Sequence, residues 1–323
     1  MRTVLLTGAA GFIGYHVARA LLERGDRVTG LDNLDPYYDV WLKRDRLAEL
    51  ARFDHFSFIE ADVNDPRLAD AFAVAPDIVV HFAAQAGVRY STENPLAYVR
   101  TNVSGQTAIF DRVARVDPAI PVVFASSSSV YGGNDKVPFA ETDRVDSPVS
   151  VYAATKRAGE LVAEAFRHTH GIRSVGLRFF TVYGRYGRPD MAPWLFTDAI
   201  LAGRPIKVFN NGDMERDFTH VSDVTKGVLG AVDLMLGDPS RAAPVYNIGH
   251  NSPVKLMDFI RTVERACGRD AILEMHPKPA GDVLRTCADI GLASRDFGYD
   301  PSVTLEQGMK DFVGWYRGYC GDR

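Results

Sequence analysis

Short runs of apolar and β-branched residues recur through the first half of the chain: Thr3 to Thr7, Arg27 to Leu31, Phe56 to Glu60, Asp77 to Phe82 and Pro121 to Ser126. Each has the length of a strand. Phe12 to Glu23, which ends before Gly25, and Val99 to Val116 carry apolar positions three and four residues apart and read as amphipathic helices. Strands alternating with helices predict a parallel sheet wrapped on both faces, a doubly wound α/β core. A longer helix from Ser150 to about His168 leads to one more strand, Ser174 to Phe180. The rhythm then breaks in a Gly-, Pro- and Arg-rich loop from Gly184 to Pro193, the kind of segment that carries sites. Val245 to Ile248 reads as a strand and Lys255 to Ala266 as a helix, without a clean βαβ repeat. The expected organisation is a core domain over 1–182, to which about 217–265 return, and a smaller, interleaved C-terminal substrate-binding domain from 183–216 and 266–323.

Composition narrows the function classes. With 323 residues, 46% apolar and 24% charged, the chain is a globular protein large enough for a substantial core. A formal charge of −4 with scattered arginines gives no basic face, so nucleic acid is not an expected partner. Cys267, Cys287 and Cys320 are an odd, widely spaced set, which argues against a disulfide framework or a zinc site and for a reducing compartment. The first apolar run ends at Gly8, far short of a membrane span, so the reading is a cytoplasmic protein without an anchor. No metal is expected, since His168 and His170 lack ligand company. His81 reads as a packed sheet-edge residue and Trp315-Tyr316 as an anchor for a C-terminal helix.

Candidate chemistry begins where the first strand meets the first helix. Gly8, Gly11 and Gly14, with Phe12 and Ile13 between the last two, form a GxxGxxG turn of the Rossmann type. Glycines permit a tight turn and close approach of a pyrophosphate, which the helix N-terminus attracts. The second strand leads into Asp32-Asn33, where an acid meets ribose hydroxyls and repels a 2′-phosphate. NAD is therefore expected over NADP, although Lys43 and Arg44 follow closely. Asp62-Val63, after the third strand, can bracket the adenine. Tyr152 and Lys156 are four apart on a helix and so share a face. An ammonium one turn away and a cationic nicotinamide ring would both favour the phenolate, making Tyr152 a candidate general base. One serine of the Ser126 to Ser129 cluster, at the carboxyl edge of the sheet, can relay the substrate proton.

Together these segments resemble the extended short-chain dehydrogenase/reductase family along essentially the whole chain, and within it the UDP-glucuronate 4-epimerases. The resemblance rests on His81 to Ser91 (HFAAQAGVRYS), Ser126 to Gly132 (SSSSVYG), Arg178 to Gly184 (RFFTVYG), Gly187 to Ala192 (GRPDMA) and Arg216 to Thr219 (RDFT). It implies that Ser127, Tyr152 and Lys156 act as a triad, with Lys156 also on the nicotinamide ribose. It further implies that Ala83, Ala84 and Gln85 lie along the cofactor. Arg89, Ser128, Thr181, Met191 and Ala192 would line the UDP-sugar site, Phe209 and Asn210 would lie near uracil, and Arg216 and Arg285 near the diphosphate. A homodimer built on the helices Val99 to Val116 and Tyr152 to His168 is implied as well. Three segments depart from the pattern: Arg185 in place of a proline, Thr219 to Ser222 in place of a tyrosine and an acid, and Lys278 to Asp282, which carries an unusual approach to its Gly-Asp pair.

The implied reaction is NAD-dependent interconversion of UDP-glucuronate and UDP-galacturonate. Tyr152 removes the C4 hydroxyl proton as hydride leaves for NAD, the 4-keto sugar turns over, and hydride returns to its other face. NAD is not consumed, so it can stay bound. Because the keto acid can lose carbon dioxide, the carboxylate needs restraint, and Arg188 is the candidate grip. UDP-glucose/galactose 4-epimerase, UDP-glucuronate decarboxylase and a non-catalytic NAD-binding sensor remain open.

Overall fold

The computed structural model describes residues 1–278 and 283–321. In chain order its first half runs β1 (Thr3–Thr7), α1 (Phe12–Glu23), β2 (Arg27–Asp32), α2 (Trp41–Leu50), β3 (Phe56–Glu60), β4 (Ile78–His81), α3 (Tyr90–Glu93), α4 (Pro95–Tyr98), a π-helical stretch Val99–Gly105, α5 (Gln106–Val116), β5 (Val122–Ser127), α6 (Val151–His170) and β6 (Ser174–Phe179). Then follow β7 (Thr181–Tyr183), α7 (Ala192–Ala202), β8 (Pro205–Phe209), β9 (Glu215–His220), α8 (Val221–Gly237), β10 (Val245–Ile248), β11 (Pro253–Lys255), α9 (Leu256–Cys267), β12 (Ile272–His276), α10 (Gly291–Phe297) and α11 (Leu305–Gly321).

Seven strands form one parallel sheet in the order β10-β6-β5-β4-β1-β2-β3. The expected doubly wound α/β core is present. Alternation along β1 shows both faces buried: Val4 and Leu6 join the side chains of α1 and α8, whereas Leu5 joins those of α5. Strand order reverses between β1 and β4, which opens a crevice at the carboxyl ends of those strands. The glycine turn and the 82–89 segment flank that crevice.

The 20-residue α6 is framed by clear stop signals. Ser150 caps its start by accepting from the Ala153 N–H at 3.1 Å, and Gly171 ends it in the left-handed region at φ 71. The helix expected from Val99 exists, but its first seven residues are π-helical. Such widened turns often sit at sites, and Asn102 within it reaches back to the sheet edge, as described below.

A second core unites α7, β8, β9, α9 and α11 through Phe196, Ile200, Val208, Phe218, Phe259 and Phe312. Two small sheets, β11-β9-β7 and β12-β8, belong to this half. The division expected near residue 265 does not follow the packing. It cuts α9, whose buried Phe259, Ile260 and Val263 pack in the second core. In the other direction, Ala293 of α10 packs in the first core beside α8. The physical reason is that amphipathic faces, not chain position, decide which core an element joins.

Candidate active site

The glycine turn is dictated by crowding. Gly8 has φ +75, and a Cβ there would stand 2.7 Å from the backbone of Phe82 and Ala83; on Gly14 it would stand 2.0 Å from the Gly8 carbonyl. Only glycine lets α1 close on β1 and β4 this tightly. Gly11 caps α1 without a side-chain bond, and the first turn holds no acid, so the helix start is left for an outside anion. Asp32 braces the turn: it accepts from Ala10 N at 3.1 Å and Leu34 N at 2.9 Å, and it pairs with Lys43 at 3.4 Å. Lys43 lines the cavity in that pair, whereas Arg44 is exposed. Asn33 donates to Asp62 at 2.9 Å, joining the ends of β2 and β3. Across the crevice, Asn102 accepts from Gln85 N at 2.7 Å, donates to Gln85 O at 3.0 Å and to Thr155 Oγ1 at 3.1 Å. Asn102 therefore pins the 83–85 segment to α6. Sequence reasoning missed it, although an asparagine on the buried face of an amphipathic helix was a readable signal.

A cavity of about 690 Å³ runs from this turn to the second core. Its wall includes Gly8, Gly11, Phe12, Ile13, Gly14, Asp32, Asn33, Asp62, Val63, Ala83, Ala84 and Gln85 at one end. Ser127, Ser128, Tyr152 and Lys156 lie in its middle, and Arg89, Thr181, Arg188, Met191, Ala192, Phe209 and Arg216 at the other end. The groups expected to hold a dinucleotide and most of those expected to hold a sugar nucleotide thus share one space.

At the centre, Ser127 Oγ lies 3.0 Å from Ser129 Oγ and accepts from Ser129 N, while Lys156 donates to the Ala125 carbonyl at 2.9 Å. Burial pushes the Lys156 ammonium down to about 8, against the pull of Glu160. Burial also raises the Tyr152 phenol, with the Ser127 hydroxyl and then Arg188 drawing it back. The phenolate support expected from Lys156 is not among these influences, so the protein alone holds Tyr152 as a neutral phenol. Ser126 plays a different part from its neighbour: it donates to Glu160 at 2.6 Å, and Glu160 also accepts two bonds of 2.8 Å from Arg178.

Three expectations change on the substrate side. Arg188 faces the cavity with its fork already filled by Asp190, Nε to Oδ1 at 3.0 Å and a second nitrogen to Oδ2 at 2.5 Å, while Tyr37 donates to the same carboxylate at 2.8 Å. It is not a free carboxylate grip. Burial would lower its pKa, but Asp190 more than reverses that and holds it charged. Arg285 lies outside the cavity wall because it forms a two-point pair with Glu215, at 2.7 and 3.2 Å. Asn210 is also off the wall, its side chain donating to Asp213 O at 2.7 Å within a turn. Arg89 stacks over Phe209 with its guanidinium carbon 4.5 Å from the ring centre. Of the departing segments, Arg185 pairs with Asp311 and His220 caps α8; Pro279 to Asp282 lie outside the described residues. Tyr37, Asp190 and Lys207 join the wall without having been expected there.

Among the described residues no cluster of three or more His, Cys, Asp or Glu could hold a metal, and no helix is long and apolar enough to cross a membrane. All three cysteines are free.

Comparison with known proteins agrees with this geometry. UDP-glucuronate 4-epimerase 2 of Arabidopsis thaliana is 49% identical over 331 residues, covering 98% of this chain and 76% of that protein. The crystal structure of UDP-glucuronic acid 4-epimerase from Bacillus cereus, in complex with UDP-glucuronic acid and NAD, superposes with a TM-score of 0.90 at 30% identity, covering 98% of this chain and 99% of that one. UDP-glucose 4-epimerase of Thermotoga maritima, solved with UDP-glucose, gives 0.87 at 28% identity over 98% of this chain and 99% of that one. The family model described as NAD dependent epimerase/dehydratase matches residues 4–249, from β1 through the last strand of the main sheet, and the chain belongs to that family.

Proposed function

We propose that the chain interconverts UDP-glucuronate and UDP-galacturonate by oxidation and re-reduction at C4 of the sugar, with NAD retained throughout. The observation that carries this reading is that Ser127, Tyr152 and Lys156 share one cavity with the glycine turn and with an arginine-bearing substrate wall. Bound NAD supplies a hydride acceptor and donor at the sugar carbon. With the positive nicotinamide ring of bound NAD favouring its phenolate, Tyr152 would take the C4 hydroxyl proton, with the Ser127 hydroxyl beside it to pass that proton on. Lys156 stays anchored on the Ala125 carbonyl and brings a positive charge to the ribose edge. Arg188 reaches the substrate carboxylate only by giving up part of its pair with Asp190, and that exchange would keep the carboxylate out of line for decarboxylation. In this reading the first core holds the dinucleotide and the second holds the UDP-sugar.

The Arg188–Asp190 pair favours a second reading, turnover of neutral UDP-hexoses. An arginine already neutralised by a neighbour does not require an anionic substrate to avoid a bare buried charge. Both readings are tested by NMR of purified protein incubated without added cofactor. Appearance of UDP-galacturonate from UDP-glucuronate supports the first; UDP-glucose from UDP-galactose alone replaces it with the second. UDP-xylose means decarboxylation, and NAD bound without turnover of either substrate means a sensor.

The protein is further proposed to work as a cytoplasmic homodimer. Leu96 (77% exposed), Val99 and Leu161 are large apolar side chains left on the surfaces of α4, the π stretch and α6, where a second copy would cover them. Three free thiols suit a reducing compartment. A monomeric mass in solution at micromolar concentration ends the dimer proposal.

A further inference from the structure

Arg46 of α2 is completely buried, and among the described residues it has no carboxylate partner. Its guanidinium donates to the Ala10 carbonyl at 2.7 Å, the Tyr38 hydroxyl at 2.7 Å and the Tyr186 carbonyl at 2.6 Å, and its Nε has no partner. A buried cation is costly unless it is hydrogen-bonded and paired with an anion. Here the hydrogen bonds are present and the anion is missing. Lys43, one turn earlier, makes the contrast plain, since it is neutralised by Asp32.

The position of the two carbonyl acceptors says what anion fits. Ala10 lies in the glycine turn, directly before the uncapped start of α1. Tyr186 lies in the loop that carries Arg188 toward the substrate. Arg46 does not line the cavity, so it acts through the backbone that it holds. We infer that Arg46 is a positioning residue that ties the glycine turn to the 184–193 loop and serves as the concealed counter-charge of a dinucleotide diphosphate bound at that turn, thereby prolonging cofactor residence. This rests on reading the turn as the dinucleotide site. A cofactor that is never exchanged during turnover needs a slow off-rate, and a fixed charge behind the turn slows departure without obstructing the sugar.

The test compares ligands with and without a diphosphate. Protein stripped of cofactor is titrated with NAD, ADP and adenosine, using wild type, Arg46→Gln and Arg46→Lys, with folding checked by circular dichroism. Arg46→Gln is expected to weaken NAD and ADP at least tenfold and to leave adenosine unchanged, because only the charged ligands feel the lost cation. Arg46→Lys is expected to recover the affinity for ADP, while bound NAD leaves at least fivefold faster because one ammonium cannot hold both carbonyls. Equal losses for ADP and adenosine, or an unchanged ADP affinity in Arg46→Gln, overturn the inference. If Arg46→Gln does not fold, an unchanged NAD off-rate in Arg46→Lys overturns it instead. Wild-type protein that takes up neither NAD nor ADP overturns the dinucleotide reading itself, and this inference with it.

Discussion

One helix carries two polar centres of opposite character. Near its start, α6 presents Tyr152 and Lys156 to the cavity; two turns on, it buries Glu160 behind the sheet. The rear centre is saturated. Glu160 accepts from Ser126, from Arg178 twice and from Arg157, and Arg178 also reaches the Tyr131 hydroxyl, which donates to Asn247. Burial works to raise the Glu160 carboxyl, but its hydrogen-bond donors hold it below the ordinary carboxylate range. The front centre is under-partnered: Lys156 has one backbone acceptor, and burial moves both it and Tyr152 toward their neutral forms. Saturated polar groups build structure, whereas strained ones wait for a ligand.

Substitutions along α6 separate the two centres. Tyr152→Phe is expected to cut conversion of UDP-glucuronate by about a thousandfold, the range for a lost acid–base group, with an unchanged thermal midpoint; wild-type turnover removes Tyr152 from the reaction. Glu160→Ala is expected to cost about 3–5 kcal/mol in urea denaturation, because Arg178 is left buried and unpaired. Part of that loss should return in the double variant with Arg178→Met. A loss under 1 kcal/mol would erase the contrast between the centres.

Lys156→Met is expected to do the reverse of Glu160→Ala, stabilising the cofactor-free protein by about 2–3 kcal/mol at pH 7 while abolishing turnover. A fall from 10.5 to about 8 is a penalty on the charged form of about that size, once the bond to Ala125 is discounted. The sign has a pH signature. Between pH 8 and 10.5 the folded wild type has released a proton that the unfolded chain keeps, so wild-type stability rises with pH and the advantage of the variant shrinks. An advantage that is constant from pH 7 to 10.5 would contradict this account. The smallest effect belongs to the substrate wall. Asp190→Asn frees Arg188 and should lower KM for UDP-glucuronate by about threefold to tenfold, with no change for UDP-galactose; equal shifts for both would show that the pair only shapes the loop.

Strand-by-strand, the main sheet was legible because each segment has a clear period and glycine punctuation, and the pairing of Tyr152 with Lys156 was legible because one helix face fixes it, whereas Ser127 was singled out from its serine cluster only by family resemblance. Strands β7, β8, β9, β11 and β12 were not, since runs of only three to six residues carry too short a pattern to declare a strand by themselves. The expected clamp at Arg188 shows another limit. The sequence displays Asp190 two positions away, but only the fold decides whether a guanidinium faces a neighbour or a ligand. Arg285 was misplaced for the same reason, being drawn to Glu215, 70 residues distant in the chain.

The edge position of β10 bears on how the chain is made. Val245 to Ile248 pair with Gly176 to Phe179 of β6, so the main sheet is finished by a strand that leaves the ribosome long after its partner. Until then β6 exposes an unpaired edge, a template for wrong partners, and the intervening residues must fold aside without sealing it. Synthesis of this enzyme therefore has a vulnerable interval bounded by those two strands, and a chain truncated before residue 245 should aggregate instead of surviving as a small dinucleotide-binding protein.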